Sequence, residues 1–248
     1  MFSNLVGLYF STHGIDAVDL DMSLHHVTEQ ALTSFSRIIE MSVLCSMDPL
    51  SDMQAQDQVG HLSLYMGPMF SGKTSRLLAL HKQYSFCGVP LLVINFAEDD
   101  RYTDDERMSS HDKVMVPCRT ASLLKEINDF DKEPTADFQA SKVILINEGQ
   151  FFVDIVEWVN KAIASPFHKK VHICGLDGDF RAQRFGDWLD LIPQADHVEK
   201  LAAICSGCKM CPGIFSHRTT AQEEQKVIGV ECYVPLCRKC YASARGQP

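Results

Sequence analysis

Short apolar runs alternate with stretches of helical pattern between residues 60 and 204. Five runs have the length and composition of buried strands: Leu62–Met66, Pro90–Phe96, Lys142–Asn147, Val171–Leu176 and 197–204. The segments between them that predict helices are 72–84, 121–130, 153–164 and 183–190. Strands that alternate with helices predict an α/β fold, in which a parallel sheet is covered on both faces. Binding sites in such a sheet lie at the carboxyl ends of the strands.

The residues before this core follow a different pattern. Between Ser23 and Cys45, apolar residues recur at helical spacing, which predicts one amphipathic helix. The adjacent His25 and His26 suggest a metal site, but neighbouring side chains point to different faces of a helix, so we expect a structural role. The polar residues that follow predict a linker. We therefore separate an N-terminal extension, residues 1–59, from a core over residues 60–204.

Composition indicates which classes of partner the protein is expected to bind and in which compartment it is expected to lie. The 248 residues carry a formal net charge of -9, which argues against broad binding to nucleic acid or to an anionic membrane. No apolar run reaches membrane-spanning length, and the apolar first ten residues lack the basic residues of a targeting peptide. Ten cysteines, four of them in two C-x-x-C pairs, favour metal binding over disulfides. We therefore expect a cytoplasmic protein.

A phosphate-binding loop follows the first strand. It fits the pattern G-x-x-x-x-G-K-[ST] and comprises Gly67, Pro68, Met69, Phe70, Ser71, Gly72, Lys73 and Thr74. Because a strand precedes the loop and a helix follows it, free N–H groups and the helix dipole point at a bound anion. Lys73 is expected to reach the β- and γ-phosphates of a nucleoside triphosphate, and the Thr74 hydroxyl to bind Mg²⁺.

Polar residues follow the second and third strands. The third strand ends in Asn147 and Glu148, and Glu148 is the best candidate for a general base, with an ordinary helix cap as the alternative. Asn147 is neutral, although this place in a phosphate-loop site is usually an Asp that binds the Mg²⁺ shell. After the second strand, Asp99 and Arg101 are candidates for Mg²⁺ and phosphate contacts, with a solvated loop as the alternative.

Aromatic residues just beyond two strand ends have two interpretations. Phe151 follows the third strand, and Phe180 follows the fourth. Large aromatic side chains are usually part of the core, but beside a phosphate site they can stack on a base.

Two C-x-x-C pairs near the carboxyl terminus predict a structural zinc site. The pairs are Cys205 with Cys208 and Cys237 with Cys240, and 28 residues separate them. Four thiolates complete a tetrahedral Zn²⁺ shell, so the metal would fold a segment too small to bury its own core. Cys211 is an alternative ligand, and a redox role is less favoured because two pairs require a common explanation. Residues 205–248 are therefore predicted to form a zinc-binding domain with the C-terminal tail.

These motifs together resemble the cytosolic, type II thymidine kinases. The resemblance covers residues 60–243 and rests on motifs in the family's order: Gly67–Thr74, Asp99-x-Arg101-Tyr102, His111-Asp112, Glu148–Phe152, Leu176–Gly178, Phe185-Gly186 and the two C-x-x-C pairs. It implies a RecA-like phosphate-loop core with a parallel sheet, plus a small zinc-stapled lasso domain. It also implies ATP-dependent phosphorylation of thymidine at the 5′-hydroxyl, with catalytic Mg²⁺ and structural Zn²⁺.

The resemblance also assigns individual residues. Glu148 resembles the catalytic base. The ATP and Mg²⁺ site is implied to include residues 67–74, Asp99, Arg101, Asn147 and Gln150. The residues that resemble the nucleoside site are Met69, Phe151, Leu176, Phe180, Ser216, Val227, Ile228, Gly229 and Tyr233. The implied partners are thymidine, ATP and further copies of this chain in a dimer or tetramer, without nucleic acid or membrane.

One departure from the family keeps two alternatives open. Family members normally carry Asp where Asn147 stands, so this chain is alternatively a catalytically weak nucleotide-binding regulatory subunit. A zinc-ribbon ATPase that acts on nucleic acid is a third hypothesis, and the acidic net charge argues against it.

Overall fold

The computed structural model describes residues 59–97, 107–109, 115–221, 224 and 232–246, all within one compact unit, 57–248. The predicted helix between Ser23 and Cys45 lies outside the described residues. So do Asp99, Arg101 and the predicted nucleoside contacts Val227, Ile228 and Gly229. None of the helices in the described part of the chain combines the length and apolar character that crossing a bilayer requires.

Six parallel strands form the central sheet. The described strands are β1 (His61–Met66), β2 (Leu91–Phe96), β3 (Arg107–Ser109), β4 (Met115–Pro117), β5 (Arg119–Ala121), β6 (Val143–Ile146), β7 (Lys170–Gly175), β8 (His197–Lys200), β9 (Ala203–Ile204), β10 (Pro212–Gly213), β11 (Phe215–Arg218) and β12 (Tyr233–Leu236). The order in the sheet is β5-β2-β6-β7-β1-β8, and every pair in it is parallel. This confirms the predicted α/β fold. It also places β7 between β1, which leads into the phosphate loop, and β6, which leads into Glu148.

The helices are short and unevenly distributed. They are α1 (Lys73–Phe86), α2 (Ala136–Ala140), α3 (Ile155–Ile163) and α4 (Arg238–Ala244), with 3-10 helices at Leu124–Glu126, Gly149–Phe151 and Trp188–Gln194. The predicted helices over 72–84 and 153–164 are confirmed as α1 and α3. Helix α2 was not predicted.

The predicted helix over 121–130 is wrong. Ala121 ends β5, and only one 3-10 turn follows. The physical reason is tertiary: the Asp154 carboxylate accepts hydrogen bonds from the backbone N–H groups of Leu124 and Lys125, and the Trp158 indole donates to the Asn128 carbonyl. Two further predicted segments differ in detail from the structure. In place of the predicted helix over 183–190, the chain forms the 3-10 helix Trp188–Gln194, which contains Pro193. The predicted strand over 197–204 is divided into β8 and β9.

Both faces of the central strands β1, β2, β6 and β7 are buried, which explains why these strands are mostly apolar. Leu62 and Leu64 of β1 pack on the α3 side, while Tyr65 packs with Leu77 of α1 on the other. A strand covered on both faces has no polar side to alternate with the apolar one. The sheet is therefore held rigidly between two apolar layers, and its carboxyl ends form a fixed platform.

A buried histidine lies between β7 and α1. The Tyr84 hydroxyl is 3.1 Å from His172 Nε2, and the Tyr65 hydroxyl is 3.5 Å from Nδ1. Burial, with smaller contributions from neighbouring positive charges on residues such as His61 and Lys170, lowers the pKa of His172 to about 3. His172 is therefore neutral in the folded protein at neutral pH.

We expect the free energy of unfolding to fall as the pH is lowered from about 6.5. The unfolded chain takes up a proton on His172 near its ordinary pKa of 6.5, whereas the folded chain does so only near a pKa of about 3. The loss from this residue is about 2 kcal/mol between pH 6.5 and pH 5. Urea unfolding of the parent and of His172→Gln at both pH values measures it, and an equal pH dependence in the two proteins contradicts the prediction.

The segment after the sheet forms a separate small cluster. Strands β9 and β10 pair with each other, as do β11 and β12, and α4 follows β12. Buried Cys205, Leu236, Cys237 and Tyr241 form its core. Because only a few apolar side chains are buried in this cluster, we expect the predicted zinc ion to contribute much of the free energy that folds it.

Candidate active site

The phosphate loop begins at the carboxyl end of β1. A Cβ on Gly67 would lie 2.5 Å from the Leu201 carbonyl oxygen, so the loop approaches the neighbouring chain more closely than a side chain permits. Gly72 has a φ of 83°, a left-handed conformation that turns the chain into α1. The Lys73 ammonium donates to the Pro68 carbonyl at 2.7 Å, back into the loop. The loop, the lysine and the N-terminus of α1 therefore lie together, in the arrangement expected of the anion site that the sequence predicts.

A second group of polar side chains connects the loop to β6 and β2. Asn147 Oδ1 accepts from the Thr74 hydroxyl at 3.4 Å and from the Cys174 thiol at 3.0 Å. Its Nδ2 donates to Asn95 Oδ1 at 2.8 Å. Asn147 and Asn95 are both buried, so this amide pair fixes which end of Asn147 faces Thr74. The sequence analysis missed Asn95, although a polar residue inside the apolar run 91–96 was a visible signal.

The side chains beside the loop fit a hard cation. Thr74 offers a hydroxyl oxygen and Asn147 an amide oxygen, both of which are ligand types that Mg²⁺ accepts. Neither carries negative charge. Asp99, the predicted carboxylate ligand, lies outside the described residues.

We expect Asn147→Asp to lower the Mg²⁺ concentration that gives the half-maximal rate by about fivefold, because a carboxylate binds a cation more strongly than an amide by about 1 kcal/mol. Thymidine affinity should change little. A Mg²⁺ titration of the initial rate measures this, with Asn160→Asp near the end of α3 as the matched control. Identical metal dependence in parent and variant would mean that residue 147 is outside the metal shell.

Glu148 directly follows Asn147 and has an unusual backbone. Its φ of 57° lies in the left-handed region, and its side chain is buried. No side-chain capping bond is formed at the start of the following 3-10 helix, which does not support the cap alternative. Instead, Glu148 Oε2 accepts from Gln150 Nε2 at 2.6 Å. Strain of this kind at a strand end is typical of a functional position.

The small C-terminal cluster contacts the phosphate loop and the loop after β7. The Met69 backbone N–H donates to Ser216 Oγ of β11 at 2.9 Å. The Arg218 guanidinium lies 3.8 Å from the centre of the Phe180 ring and donates to the Tyr233 hydroxyl. Arg218 is buried and joins two predicted nucleoside contacts, yet the sequence analysis missed it because its partners are distant in the chain.

Two further predicted nucleoside contacts, Leu176 and Phe151, have different surroundings. The Leu176 N–H donates to Gln150 Oε1 at 2.9 Å, and the Leu176 carbonyl accepts from the Trp188 indole at 3.0 Å. Phe151 packs against Phe96 and Phe185, which makes it part of the core edge. Of the two interpretations of the aromatic residues, core packing therefore describes Phe151, whereas Phe180 lies beside Arg218.

Four cysteines converge at the predicted metal centre. The sulfur atoms of Cys205, Cys208, Cys237 and Cys240 all lie within 4.8 Å of one another. The distance between the Cys208 and Cys237 sulfurs is 3.9 Å, close to the separation of about 3.8 Å across a tetrahedral site with Zn–S bonds of about 2.3 Å. Cys211 is exposed and is not among the four.

The electrostatics of the cluster also fit a bound cation. Backbone N–H groups, first that of Cys208, lower the pKa of Cys205 to about 6. The neighbouring Cys237 and Cys205 thiols raise the pKa of Cys240 to about 12. Four adjacent thiolates repel one another, so a divalent cation between them is what allows all four to ionise.

The family model for thymidine kinase matches residues 60–241. This chain belongs to the thymidine kinase family. The thymidine kinase of Yaba monkey tumor virus is 38% identical over 183 residues, which cover 73% of this chain and 94% of that protein. The cytosolic thymidine kinases of Bos taurus and Homo sapiens are 36% and 35% identical over 191 residues, and the matches cover 75% and 76% of those proteins and 76% of this chain.

Proposed function

We propose that this protein transfers the γ-phosphoryl group of ATP to the 5′-hydroxyl of thymidine. The observation that carries the proposal is the convergence of two features at one edge of the sheet, in a chain of the thymidine kinase family. The phosphate loop with Lys73 follows β1, and Glu148 follows β6, while the Thr74–Asn147 contact joins the two. An anion site that contacts the residue directly before a buried carboxylate suits phosphoryl transfer to an alcohol.

The proposed chemistry assigns one task to each of these groups. Backbone N–H groups of residues 67–74 and the Lys73 ammonium bind the ATP phosphates. Mg²⁺, held by Thr74 and Asn147 together with the phosphates, would neutralise phosphate charge. Glu148 accepts the proton of the 5′-hydroxyl as its oxygen bonds to the γ-phosphorus, and the bond from that phosphorus to the bridging oxygen breaks. The products are dTMP and ADP.

The nucleoside is proposed to bind between the loop after β7 and the C-terminal cluster. Phe180 would pack on the base, and the contact between Met69 and Ser216 supports a common pocket wall, because it joins the phosphate loop to β11. Tyr233, which Arg218 holds by hydrogen bonds, is proposed as a further contact. Enclosing the reacting groups in this way would exclude water, which otherwise hydrolyses ATP.

The proposed compartment, oligomeric state and zinc content of the enzyme rest on the same family membership. We propose a cytosolic enzyme, since its relatives from Bos taurus and Homo sapiens are named cytosolic. A homo-oligomer, with structural zinc in each chain and no nucleic-acid partner, completes the proposal.

One coupled assay tests the function. ADP release is measured with thymidine, without a nucleoside, and with DNA in place of the nucleoside. Turnover that requires thymidine supports the proposal. Turnover stimulated by DNA, or none under any condition, would favour the nucleic-acid ATPase or the regulatory subunit instead.

A further inference from the structure

Gln150 contacts the side chain of Glu148 and the backbone at the end of β7. Its Nε2 donates to Glu148 Oε2 at 2.6 Å, and its Oε1 accepts from the Leu176 N–H at 2.9 Å. Because a backbone N–H can face only the oxygen of an amide, the Leu176 contact determines that the NH₂ end points at Glu148. Gln150 is 4% exposed and Glu148 is 9% exposed, so water competes weakly for either contact.

Two glycines leave the space that Gln150 occupies. A Cβ on Gly175 would lie 2.7 Å from Gln150 Oε1, and a Cβ on Gly186 would lie 2.3 Å from the Gln150 carbonyl oxygen. The fully buried Trp188 closes the same region and donates to the Leu176 carbonyl. Glu148 on one side and the distant Gly175–Leu176 segment on the other therefore hold the amide in one orientation.

We propose that Gln150 is the positioning residue of the general base: it holds the Glu148 carboxylate in one orientation. This inference rests on the proposed role of Glu148. A general base must lie within hydrogen-bond reach of the proton that it accepts, so a donor that fixes the direction of the carboxylate serves the reaction. The resemblance to relatives places Gln150 with ATP, whereas both polar ends of its side chain contact the protein.

The test compares kcat and both KM values in three variants. Gln150→Met keeps the length of the side chain and removes the donor, and Gln150→Glu keeps the shape and replaces the donor with an acceptor. Gln194→Glu, at an exposed position of the 3-10 helix 188–194, is the matched control. For both Gln150 variants kcat should fall by about tenfold, since a misplacement of about 1 Å can cost about 10²-fold in rate.

The expected pattern is specific to a positioning role. KM for ATP and for thymidine should stay within about twofold of the parent. In the Glu148→Gln background, adding Gln150→Met should cause no further loss, since the group that it positions is already absent.

Three results would overturn the inference. A raised KM for ATP with an unchanged kcat would assign Gln150 to the phosphates. A loss of folded protein with an unchanged kcat per active site would indicate packing alone, and additive losses in the double variant would separate the two residues. If Gln150→Met does not fold, Gln150→Glu carries the test. Full activity of Glu148→Gln would refute the proposed base itself, while an inactive Glu148→Gln with an unchanged kcat in both Gln150 variants would refute only the positioning role.

Discussion

Glu148→Gln should lower kcat by about 10²- to 10⁴-fold and leave the affinities for ATP and thymidine close to those of the parent. The loss is that expected when a general base is removed from a step in which an alcohol attacks phosphorus. The substitution preserves the shape of the side chain, and its amide oxygen can still accept from Gln150, so the contact seen at 2.6 Å in the parent has a replacement. The variant therefore isolates proton acceptance from packing.

The measurement needs a binding assay and a rate assay on the same protein. Dissociation constants from calorimetry with thymidine and with ADP should match those of the parent, while kcat falls. Glu157→Gln is the control, because that exposed carboxylate on α3 forms an ion pair with the surface Lys161. A rate for Glu148→Gln within about threefold of the parent would remove Glu148 from the mechanism.

Loss of the proposed zinc should weaken thymidine binding far more than ATP binding. We expect one zinc ion per chain and, after Cys237→Ser, a rise in KM for thymidine of at least about tenfold. KM for ATP should change by less than about twofold. We expect a rise in KM of this size because structural zinc sites bind their metal with about 10 to 16 kcal/mol, and this free energy is also the folding free energy of the segment around them.

The structure gives a route for this selective effect. Cys237 begins α4, and Tyr241 of that helix donates its hydroxyl proton to the Phe180 carbonyl at 2.7 Å. Loosening α4 therefore releases the loop that carries Phe180, the proposed contact to the nucleoside base. The phosphate loop, by contrast, continues directly from the central sheet.

Metal analysis of freshly purified, reduced protein and steady-state kinetics of the variant test this prediction. Cys211→Ser is the matched control, since Cys211 lies in the same segment and is exposed. Zinc-free parent protein with normal thymidine kinetics would contradict a structural zinc site. Equal increases in both KM values would contradict the selective route through Phe180.

The sequence by itself was sufficient for features that depend on neighbours along the chain. The phosphate loop is contiguous from Gly67 to Thr74, so its glycines, its lysine and the following helix are all visible in one segment. The central strands β1, β2, β6 and β7 were predictable because both of their faces are buried, which makes each of them a largely apolar run. The two C-x-x-C pairs predicted the cluster of four sulfurs for a similar reason, since each pair forms locally.

Only the tertiary structure decided the features that depend on contacts between distant segments. The helix expected over 121–130 is replaced because Asp154, some thirty positions away, binds the backbone N–H groups of Leu124 and Lys125 within that segment. Arg218 and Phe180 are likewise distant in the chain, and strand order alone brings Asn95 to Asn147. Local propensity is worth a few tenths of a kcal/mol per residue, so buried hydrogen bonds of about 1 kcal/mol each override it.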